Sequence, residues 1–185
     1  MGDSPPITLP KPLVLVGLMG AGKSAVGKRV AAKLEIPFID ADTEIETAAG
    51  CTIAEIFESH GEAAFRDGER RVVARLLESE PVHVLATGGG AFMDPATRAL
   101  IKEKAISVWL RADLDVLFER VSRRGHRPLL RTADPKARLA ELMALRYPVY
   151  AEADIVVDSG TGPISAMVER VIEAMKNYLS EEIKD

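Results

Sequence analysis

A short apolar run, a glycine-rich loop and a helical pattern follow one another between residues 13 and 35. The apolar run is Leu13–Val16, the loop is GLMGAGKS at 17–24, and apolar residues recur four positions apart from Val26 to Leu34. The run is typical of a short buried strand, and the spacing is typical of an amphipathic helix. A strand that leads through a tight loop into a helix is the repeating unit of α/β proteins. The stretch therefore predicts a parallel sheet with the glycines at the carboxyl end of a strand.

The loop itself has the residues of a phosphate-binding site. Gly17, Gly22, Lys23 and Ser24 match the pattern G-x-x-x-x-G-K-[ST] in the strand-to-helix context that its mechanism requires. Glycines allow successive backbone N–H groups to turn towards phosphate oxygens, and the helix that follows directs its positive end at the same anion. Lys23 is predicted to bridge the outer phosphates and Ser24 to ligate Mg²⁺. The alternative is a glycine-rich turn with a surface lysine. The pattern favours a nucleoside triphosphate and says nothing of the acceptor.

Four further apolar runs, separated by helical patterns, predict the rest of the sheet. These predicted strands cover residues 37–39 (ending at Asp40), 82–86, 106–110 and 155–157. The later predicted helices start near Thr52, Glu62, Asp94, Asp113, Asp134 and Ile164. Five short strands alternating with helices indicate an α/β domain with a five-stranded parallel sheet, whose strand order the pattern leaves open. The loops after the first four strands then meet at one edge, where such sheets bind ligands.

Composition argues against several other classes of protein. The chain has 185 residues, enough for one domain, and a net charge of -4, which argues against binding to nucleic acid or to an anionic membrane. No apolar run approaches the roughly 20 residues of a membrane-spanning helix. Cys51 has no second cysteine to pair with, which fits a reducing compartment. We therefore expect a cytoplasmic protein, in the simplest case a monomer, with residues 1–12 as a loose, proline-rich tail rather than a secretion signal.

Two carboxylates, Asp40 and Asp42, end the second predicted strand. One can hold Mg²⁺ through its water shell, because Mg²⁺ gives up water reluctantly. The other can orient or deprotonate an attacking hydroxyl, which is the base role in phosphoryl transfer. The alternative is that one of them caps a helix over residues 43–48, since aspartate is a common N-cap. The phosphate loop nearby favours the ligand roles.

Three further groups of residues add anion-binding chemistry. Arg66 and Glu69 lie three residues apart on one helix face, so Glu69 can orient Arg66 to grip a carboxylate in a bidentate fork; a solvated ion pair is the alternative. Thr87–Gly90 follows the third predicted strand, and its three glycines indicate close approach of a ligand to the backbone, or a sharp turn. The basic segment RRGHRPLLR at 123–131 has no interleaved aromatic residues. We interpret it as a lid over a triphosphate rather than as a nucleic-acid patch.

Taken in order, these motifs resemble those of the shikimate kinase family. The matching segments are GLMGAGKS, DAD at 40–42, AFR ending at Arg66, TGGG at 87–90, RPLL at 127–130 and LRYPVY at 145–150, so the resemblance spans about residues 12–175. The phosphate loop is shared by many kinases, whereas the ordered set is far more specific. The resemblance implies a three-layer P-loop kinase fold, in which helices flank a central five-stranded parallel sheet. It also implies one kinase domain over residues 13–185, with a substrate-binding helical region at about 41–72 and a lid at about 122–134.

The resemblance further implies a reaction and a role for each site residue. Members of the family transfer the γ-phosphate of ATP to the 3-hydroxyl of shikimate, with Mg²⁺, in aromatic amino acid biosynthesis. By this likeness, ATP is bound by Gly20, Ala21, Gly22, Lys23, Ser24, Ala25, Arg120 and Arg127. Shikimate is bound by Asp42, Arg66, Gly88, Gly89, Gly90 and Arg146, and Mg²⁺ by Ser24 and Asp40. The implied catalytic residues are Lys23, Asp42 and Arg127, with Asp42 as the candidate base; Arg120 is implied to lie against adenine.

The sequence departs from the family pattern at one place, and it leaves two alternatives for function. Family members often carry a basic residue in the loop after the fifth strand, beside the adenine, whereas residues 158–163 read DSGTGP here. Base recognition in that loop then has to rely on backbone and small side chains. The same arginines would also serve a kinase for another hydroxylated acid, such as gluconate. The second alternative is a nucleotide-binding regulator without catalysis, against which Asp42 and Arg127 argue, since a sensor needs neither a base nor a lid arginine.

Overall fold

The protein is described by a computed structural model that covers residues 7–124 and 132–184. The strands are β1 (Leu13–Val16), β2 (Phe38–Asp40), β3 (Val84–Ala86), β4 (Ile106–Arg111) and β5 (Ile155–Asp158). The helices are α1 (Lys23–Leu34), α2 (Ala41–Ala49), α3 (Ile53–Ser79), α4 (Pro95–Lys104), α5 (Leu114–Arg124), α6 (Pro135–Tyr150) and α7 (Ile164–Glu182), and a 3₁₀ turn spans Ala91–Met93. Arg127, with most of the segment interpreted as a lid, lies outside the described residues, as do the first six residues of the tail.

The five strands form one parallel sheet in the order β2-β3-β1-β4-β5. Leu13 pairs with Val84 on one side and with Ile106 on the other, so β1 is the central strand. Each residue of β1 is at most 1% exposed, which is typical of a parallel strand covered by helices on both faces. The predicted α/β fold with a five-stranded parallel sheet is confirmed. The strand order, which the pattern left open, places the glycine-rich loop at the middle of the sheet edge.

Two elements differ from the prediction by more than one residue. β3 begins at Val84 rather than at residue 82, because its pairing with both neighbouring strands, β1 and β2, starts at Val84. The two helices predicted on either side of residue 61 form one element, α3, in which Gly61 has φ 82° and ψ 175°. The backbone at Gly61 is therefore not helical, and the two predicted helices meet at a kink. The predicted helix start near Thr52 is confirmed, and a capping box stabilises it, since the side chains of Thr52 and Glu55 each accept a hydrogen bond from the backbone N–H of the other residue.

Helices cover both faces of the sheet and close the core. α1 packs against α7, and α3 packs against α4. α7 presents an apolar stripe to the core, since Met167, Val168, Val171 and Met175 are each at most 4% exposed. Full burial of a side chain of this size stabilises the fold by about 1.5–3 kcal/mol. Among the helices that the structure describes, none is both long and apolar enough to cross a membrane.

Candidate active site

The backbone of the glycine-rich loop takes conformations that favour glycine. Gly20 and Gly22 have φ of 82° and 94°. Space is restricted as well: a methyl group built at Gly17 would lie 2.9 Å from the carbonyl oxygen of Leu110, and one built at Gly20 would lie 2.9 Å from the Val121 side chain. The loop, which connects β1 to α1, packs closely against β4 and α5 and therefore needs glycine at these positions.

The N-terminus of α1 is directed at this loop. Its N-cap, Gly22, makes no side-chain hydrogen bond to the helix, and the first turn carries no acidic residue. No capping side chain and no carboxylate of that turn offsets the partial positive charge of the first backbone N–H groups. This arrangement favours an anion at the start of the helix.

The Lys23 side chain lies back across the loop. Its Nζ donates to the carbonyl oxygens of Gly17, at 2.6 Å, and Leu18, at 3.1 Å. The ammonium group is thereby held at the mouth of the loop, next to the first turn of α1. An anion in the loop would meet the helix terminus and the lysine together, as the sequence motif predicts.

Asp40 joins the phosphate loop to α2 through both of its carboxylate oxygens. Oδ2 accepts a hydrogen bond from the Ser24 hydroxyl at 2.9 Å. Oδ1 accepts from the backbone N–H groups of Asp42, at 3.0 Å, and Thr43, at 3.3 Å, so Asp40 is the N-cap of α2. The capping alternative is therefore correct for Asp40. Its other oxygen still faces the hydroxyl that is predicted to ligate Mg²⁺.

The donor set around Ser24 and Asp40 fits magnesium. Within the described part of the chain, no group of three or more His, Cys, Asp or Glu side chains is placed to hold a metal ion. Mg²⁺ does not need such a group, because it keeps several waters and is usually bound by one or two carboxylates together with substrate phosphates. One hydroxyl and one carboxylate oxygen beside a phosphate loop satisfy that requirement.

Two more carboxylates lie beside the glycine turn that follows β3. A methyl group built at Gly88 would lie 3.1 Å from Asp42 Oδ1 and 3.3 Å from Glu69 Oε2. Glu69 is 2% exposed. Burial raises the pKa of its carboxyl above the ordinary value; the Arg66 guanidinium opposes this, and the nearby Asp42 and Asp94 carboxylates add to it. Asp42 thus reaches the turn from α2. The closeness of Asp42 to Glu69 has no sequence signal, because the two residues belong to different helices.

Arg66 and Glu69 form a partly buried pair at the same turn. Arg66 Nη1 donates to Glu69 Oε1 at 3.0 Å, and the two side chains are 27% and 3% exposed. The alternative of a solvated ion pair is therefore wrong. A methyl group built at Gly90 would lie 2.6 Å from Arg66 Cζ. Glu69 orients Arg66 as predicted, and the guanidinium lies against the backbone of the glycine turn.

Arg146, on α6, also contacts the glycine turn after β3, which Arg66 contacts from α3. It is 9% exposed, and a methyl group built at Gly89 would lie 2.8 Å from its Nη1. No carboxylate of the described residues lies within ion-pair distance of Arg146. A buried guanidinium is costly unless an anion compensates its charge. Arg66 and Arg146 therefore flank consecutive glycines, where a bound anion would compensate the charge of Arg146.

A cleft of about 440 Å³ opens on the α5 and α7 side of the phosphate loop. Its walls include residues 20–22 of the loop, Arg120 of α5, residues 159–162 and Arg170 of α7. Residues 159–162 contribute backbone and small side chains, as their sequence implies. Arg170 has no counterpart in the sequence prediction, because a basic residue on the polar side of a helix carries no signal for a ligand.

Arg120 ties the phosphate loop to the loop after β5. Its Nη1 donates to the carbonyl oxygen of Gly20 at 3.1 Å and to Ser159 Oγ at 3.0 Å, and its Nη2 donates to the carbonyl oxygen of Gly160 at 2.6 Å. Burial, and then the positive charge of Arg124, lower the pKa of Arg120. Arg120 lies in the wall of the cleft, and its guanidinium sets the distance between the two loops. Contact with adenine stays a prediction.

The structure brings nearly all of the predicted site residues to one edge of the sheet. The described members of this group are Gly20, Ala21, Gly22, Lys23, Ser24, Ala25, Asp40, Asp42, Arg66, Gly88, Gly89, Gly90, Arg120 and Arg146. Arg127 lies outside the described residues. The individual roles of these residues stay predictions.

A phosphate loop at the end of a central parallel strand, next to a pocket of arginines and carboxylates, defines a P-loop kinase that acts on a small molecule. Residues 19–176 match the family model described as shikimate kinase. The curated shikimate kinase of Bradyrhizobium diazoefficiens is 58% identical over 170 residues, which cover 92% of this chain and 82% of that protein. The chain belongs to the shikimate kinase family and is an ATP-dependent kinase.

Solved structures support the same assignment. Shikimate kinase from Acinetobacter baumannii in complex with shikimate has a TM-score of 0.85 and 36% identity, over 90% of this chain and 93% of that chain. A gluconokinase from Sinorhizobium meliloti has a TM-score of 0.59 and 20% identity, over 95% and 96% of the two chains. At that identity the likeness to the gluconokinase shows the fold alone.

Proposed function

We propose that this protein transfers the γ-phosphate of ATP to the 3-hydroxyl of shikimate, giving shikimate 3-phosphate and ADP in aromatic amino acid biosynthesis. The observation that carries the proposal is the place of Arg146, buried beside Gly89 without a described carboxylate partner. Gly89 in turn adjoins the phosphate loop, since a methyl group built there would lie 3.7 Å from the carbonyl oxygen of Gly17. An acceptor with a carboxylate is therefore bound next to the phosphates of the donor.

The acceptor pocket suits a hydroxylated carboxylic acid. Arg66 and Arg146 provide two planar guanidinium groups for one carboxylate, the geometry in which arginine binds such groups most strongly. Asp42, at Gly88, is placed to accept hydrogen bonds from hydroxyl groups of the ring. The backbone of Gly88, Gly89 and Gly90 approaches the ligand closely because these residues have no side chains.

The phosphoryl transfer requires positioning and charge stabilisation rather than covalent help from the protein. The acceptor hydroxyl oxygen forms a bond to the γ-phosphorus while the bond from that phosphorus to the β,γ-bridging oxygen breaks, and ADP leaves. The hydroxyl proton passes to Asp42. Lys23, the first turn of α1 and Arg127 of the lid stabilise the negative charge of the transferring group.

The donor is bound by residues 20–25, with its base in the cleft beside Arg120. Ser24 and Asp40 would hold Mg²⁺, which neutralises phosphate charge when it is bound. Lys23 contacts the outer phosphates. Arg120 supports the base side of this site by fixing the loop after β5 against the phosphate loop.

In the proposed function, different segments of the chain serve different steps of the reaction. Residues 1–12 precede the domain; they are not a loose tail throughout, because Leu9 packs into the core. Residues 41–72 form the acceptor-binding region, and residues 122–134 form a lid within the single domain 13–185. Closure of the lid excludes water, which would otherwise hydrolyse ATP. The single cysteine supports a cytoplasmic location, and the net charge of -4 argues against a nucleic-acid or membrane partner. A monomer is the simplest state.

A coupled assay of ADP release tests the function directly. Purified protein with Mg-ATP is compared in the presence of shikimate, of gluconate and of no acceptor. Strong stimulation by shikimate alone is the expected result. Stimulation by gluconate instead would keep the kinase and replace the acceptor. No stimulation by either, with ATP still bound, would favour a nucleotide-binding regulator.

Arg146→Ala is expected to raise the KM for shikimate about 10–100-fold, with little change in the KM for ATP. The estimate corresponds to the loss of one or two charged hydrogen bonds to the acceptor carboxylate. Initial rates at varied shikimate and varied ATP measure the two constants. Arg138→Ala is the matched control, because Arg138 lies on the same helix and pairs with Glu141 at the surface. Equal increases in the KM for shikimate and the KM for ATP would exclude Arg146 from the acceptor pocket.

Arg120→Ala is expected to raise the KM for ATP about tenfold and to leave the KM for shikimate within about twofold of wild type. The change removes the hydrogen bonds that hold the loop after β5 against the phosphate loop, so the cleft has to be ordered when the nucleotide binds. The same kinetic series measures the effect. Lys102→Ala on α4 is the control, because it breaks only an exposed ion pair with Glu152. An unchanged KM for ATP would contradict a role of Arg120 in the nucleotide site.

A further inference from the structure

We propose that Tyr150 is a positioning residue for the acceptor site: its buried hydroxyl fixes the Gly89–Gly90 peptide, and with it the placement of Arg66 and Arg146. The inference rests on the proposed function and deepens it. It concerns a side chain that does not need to touch the substrate, and to which the sequence motifs assign no role.

Tyr150 is the last residue of α6, and its side chain is fully buried. Its hydroxyl donates a hydrogen bond to the carbonyl oxygen of Gly89. Arg146 precedes it by one helical turn, so the two side chains share a helix face, and both flank Gly89. A methyl group built at Gly89 would lie 2.8 Å from Arg146 Nη1 and 3.8 Å from the Tyr150 hydroxyl. One side of the glycine turn is thus contacted by the arginine and the phenol together.

The phenol remains a hydrogen-bond donor throughout the physiological pH range. Burial raises the pKa of Tyr150 to about 12, and the charge of the neighbouring Arg146 guanidinium only partly opposes this effect. The hydroxyl therefore keeps its proton, and its bond to the Gly89 carbonyl is constant under assay conditions.

Because the peptide bond is planar, the hydrogen bond from Tyr150 to the Gly89 carbonyl affects the backbone beside both Arg146 and Arg66. The Gly89 carbonyl and the Gly90 N–H belong to one planar trans peptide, so they point in opposite directions, and fixing the carbonyl fixes the N–H. Gly89 borders Arg146, and Gly90 borders Arg66. A turn of three successive glycines has more backbone freedom than any other sequence. An outside anchor is therefore needed to hold the two carboxylate-binding groups at a constant separation before the acceptor arrives.

The anchor is itself held rigidly by aromatic packing. The Tyr150 ring lies 5.8 Å from the ring of Trp109 and 6.1 Å from the ring of Tyr147, measured between centroids. Trp109 also borders the phosphate loop, since a methyl group built at Gly17 would lie 3.7 Å from its Cδ1. The side chain that positions the acceptor turn is thus part of a packed wall that reaches the donor site, and packed supporting residues of this kind keep a site in its productive geometry.

Comparison of Tyr150→Phe with Tyr147→Phe tests the inference. Tyr147 lies on the same helix and in the same aromatic cluster, and its hydroxyl donates to a backbone carbonyl outside the turn, that of Ala112, at 2.5 Å. Tyr150→Phe is expected to raise the KM for shikimate about tenfold, with the KM for ATP within about twofold of wild type, whereas Tyr147→Phe changes neither. Equal effects of the two changes on the KM for shikimate would overturn the inference.

A second readout separates positioning from a merely structural role. The methyl ester of shikimate lacks the charge that Arg66 and Arg146 bind. With the ester, the ratio of wild-type to Tyr150→Phe kcat/KM is expected to fall close to one. The same ratio for ester and acid would overturn the inference. A wild-type protein without activity towards shikimate would overturn the proposed function and this inference with it, whereas an active wild type with an unaffected Tyr150→Phe variant overturns the inference alone.

A third measurement applies if Tyr150→Phe lacks a cooperative thermal transition. The chain has three tyrosines, so fluorotyrosine incorporated into a Tyr147→Phe/Tyr178→Phe background labels Tyr150 alone. Fluorination acidifies the phenol and preserves its shape. At alkaline pH the labelled hydroxyl ionises and ceases to donate, and the KM for shikimate is expected to rise in the labelled protein only. Parallel pH profiles of labelled and unlabelled protein would overturn the inference.

Discussion

Lys23→Ala is expected to lower kcat by at least about 10³-fold while the protein stays folded. The lysine ammonium lies across the phosphate loop, where bound outer phosphates would meet it together with the first turn of α1. Removal of one fixed charge that stabilises a transition state costs about 10²–10³ in kcat. In the proposed reaction the Lys23 ammonium also aligns the leaving phosphates, so we expect a loss of kcat of at least the upper value, about 10³-fold. Steady-state turnover with saturating shikimate and ATP measures the loss.

Lys28→Ala is the matched control for this experiment. Lys28 lies on the same helix and is exposed, so its removal changes the charge of the chain equally. We expect wild-type turnover for this variant, and a thermal midpoint within a few degrees of wild type for both variants. Near-normal kcat in Lys23→Ala would exclude Lys23 from the phosphate site.

Asp42→Asn is expected to lower kcat by about 10²–10⁴-fold, the range for loss of a general base. Asparagine keeps the size of the side chain and one acceptor oxygen, but it does not take up the proton of the attacking hydroxyl. The hydrogen bonds that cap α2 come from the Asp40 carboxylate and the backbone of Asp42, so the substitution leaves them in place. Turnover and thermal unfolding are measured on the same preparation.

Glu44→Gln is the control for Asp42→Asn. It neutralises a carboxylate in the same turn of α2, whose partner is Arg75 at the surface, and wild-type kcat is expected. Loss of the folded state in Asp42→Asn would make Asp42 a structural residue. Retention of both fold and kcat would require a different group to receive the proton.

Features that depend on neighbouring residues of the chain were predictable. The phosphate loop is one contiguous segment whose glycines, lysine and serine act together, and the structure places it between β1 and α1 as predicted. The helix starts at Thr52, Asp94 and Asp134 were predictable for the same reason, because a capping side chain bonds to the backbone two or three residues ahead.

The proposed acceptor site depends on residues that are far apart in the chain. Asp42, Glu69 and Gly88 come together only after α2, α3 and the turn after β3 have packed, and no local pattern predicts their separations. Sequence reasoning proposed Arg66 from its helical spacing to Glu69, and Arg146 through the family motifs. The burial of Arg146, and its place at Gly89, follow from the way α6 packs beside the sheet.

The amino-acid sequence by itself determined the fold class, the phosphate loop and the identity of nearly all candidate site residues. Strand pattern, helix caps and loop glycines act over a few residues, where covalent geometry and local hydrogen bonds decide the outcome. Only the tertiary structure decided the central place of β1, the partly buried pairing of Arg66 with Glu69, and the contact of Tyr150 with Gly89. These features depend on strand pairing and side-chain burial between distant segments, which are decided by how the whole core packs.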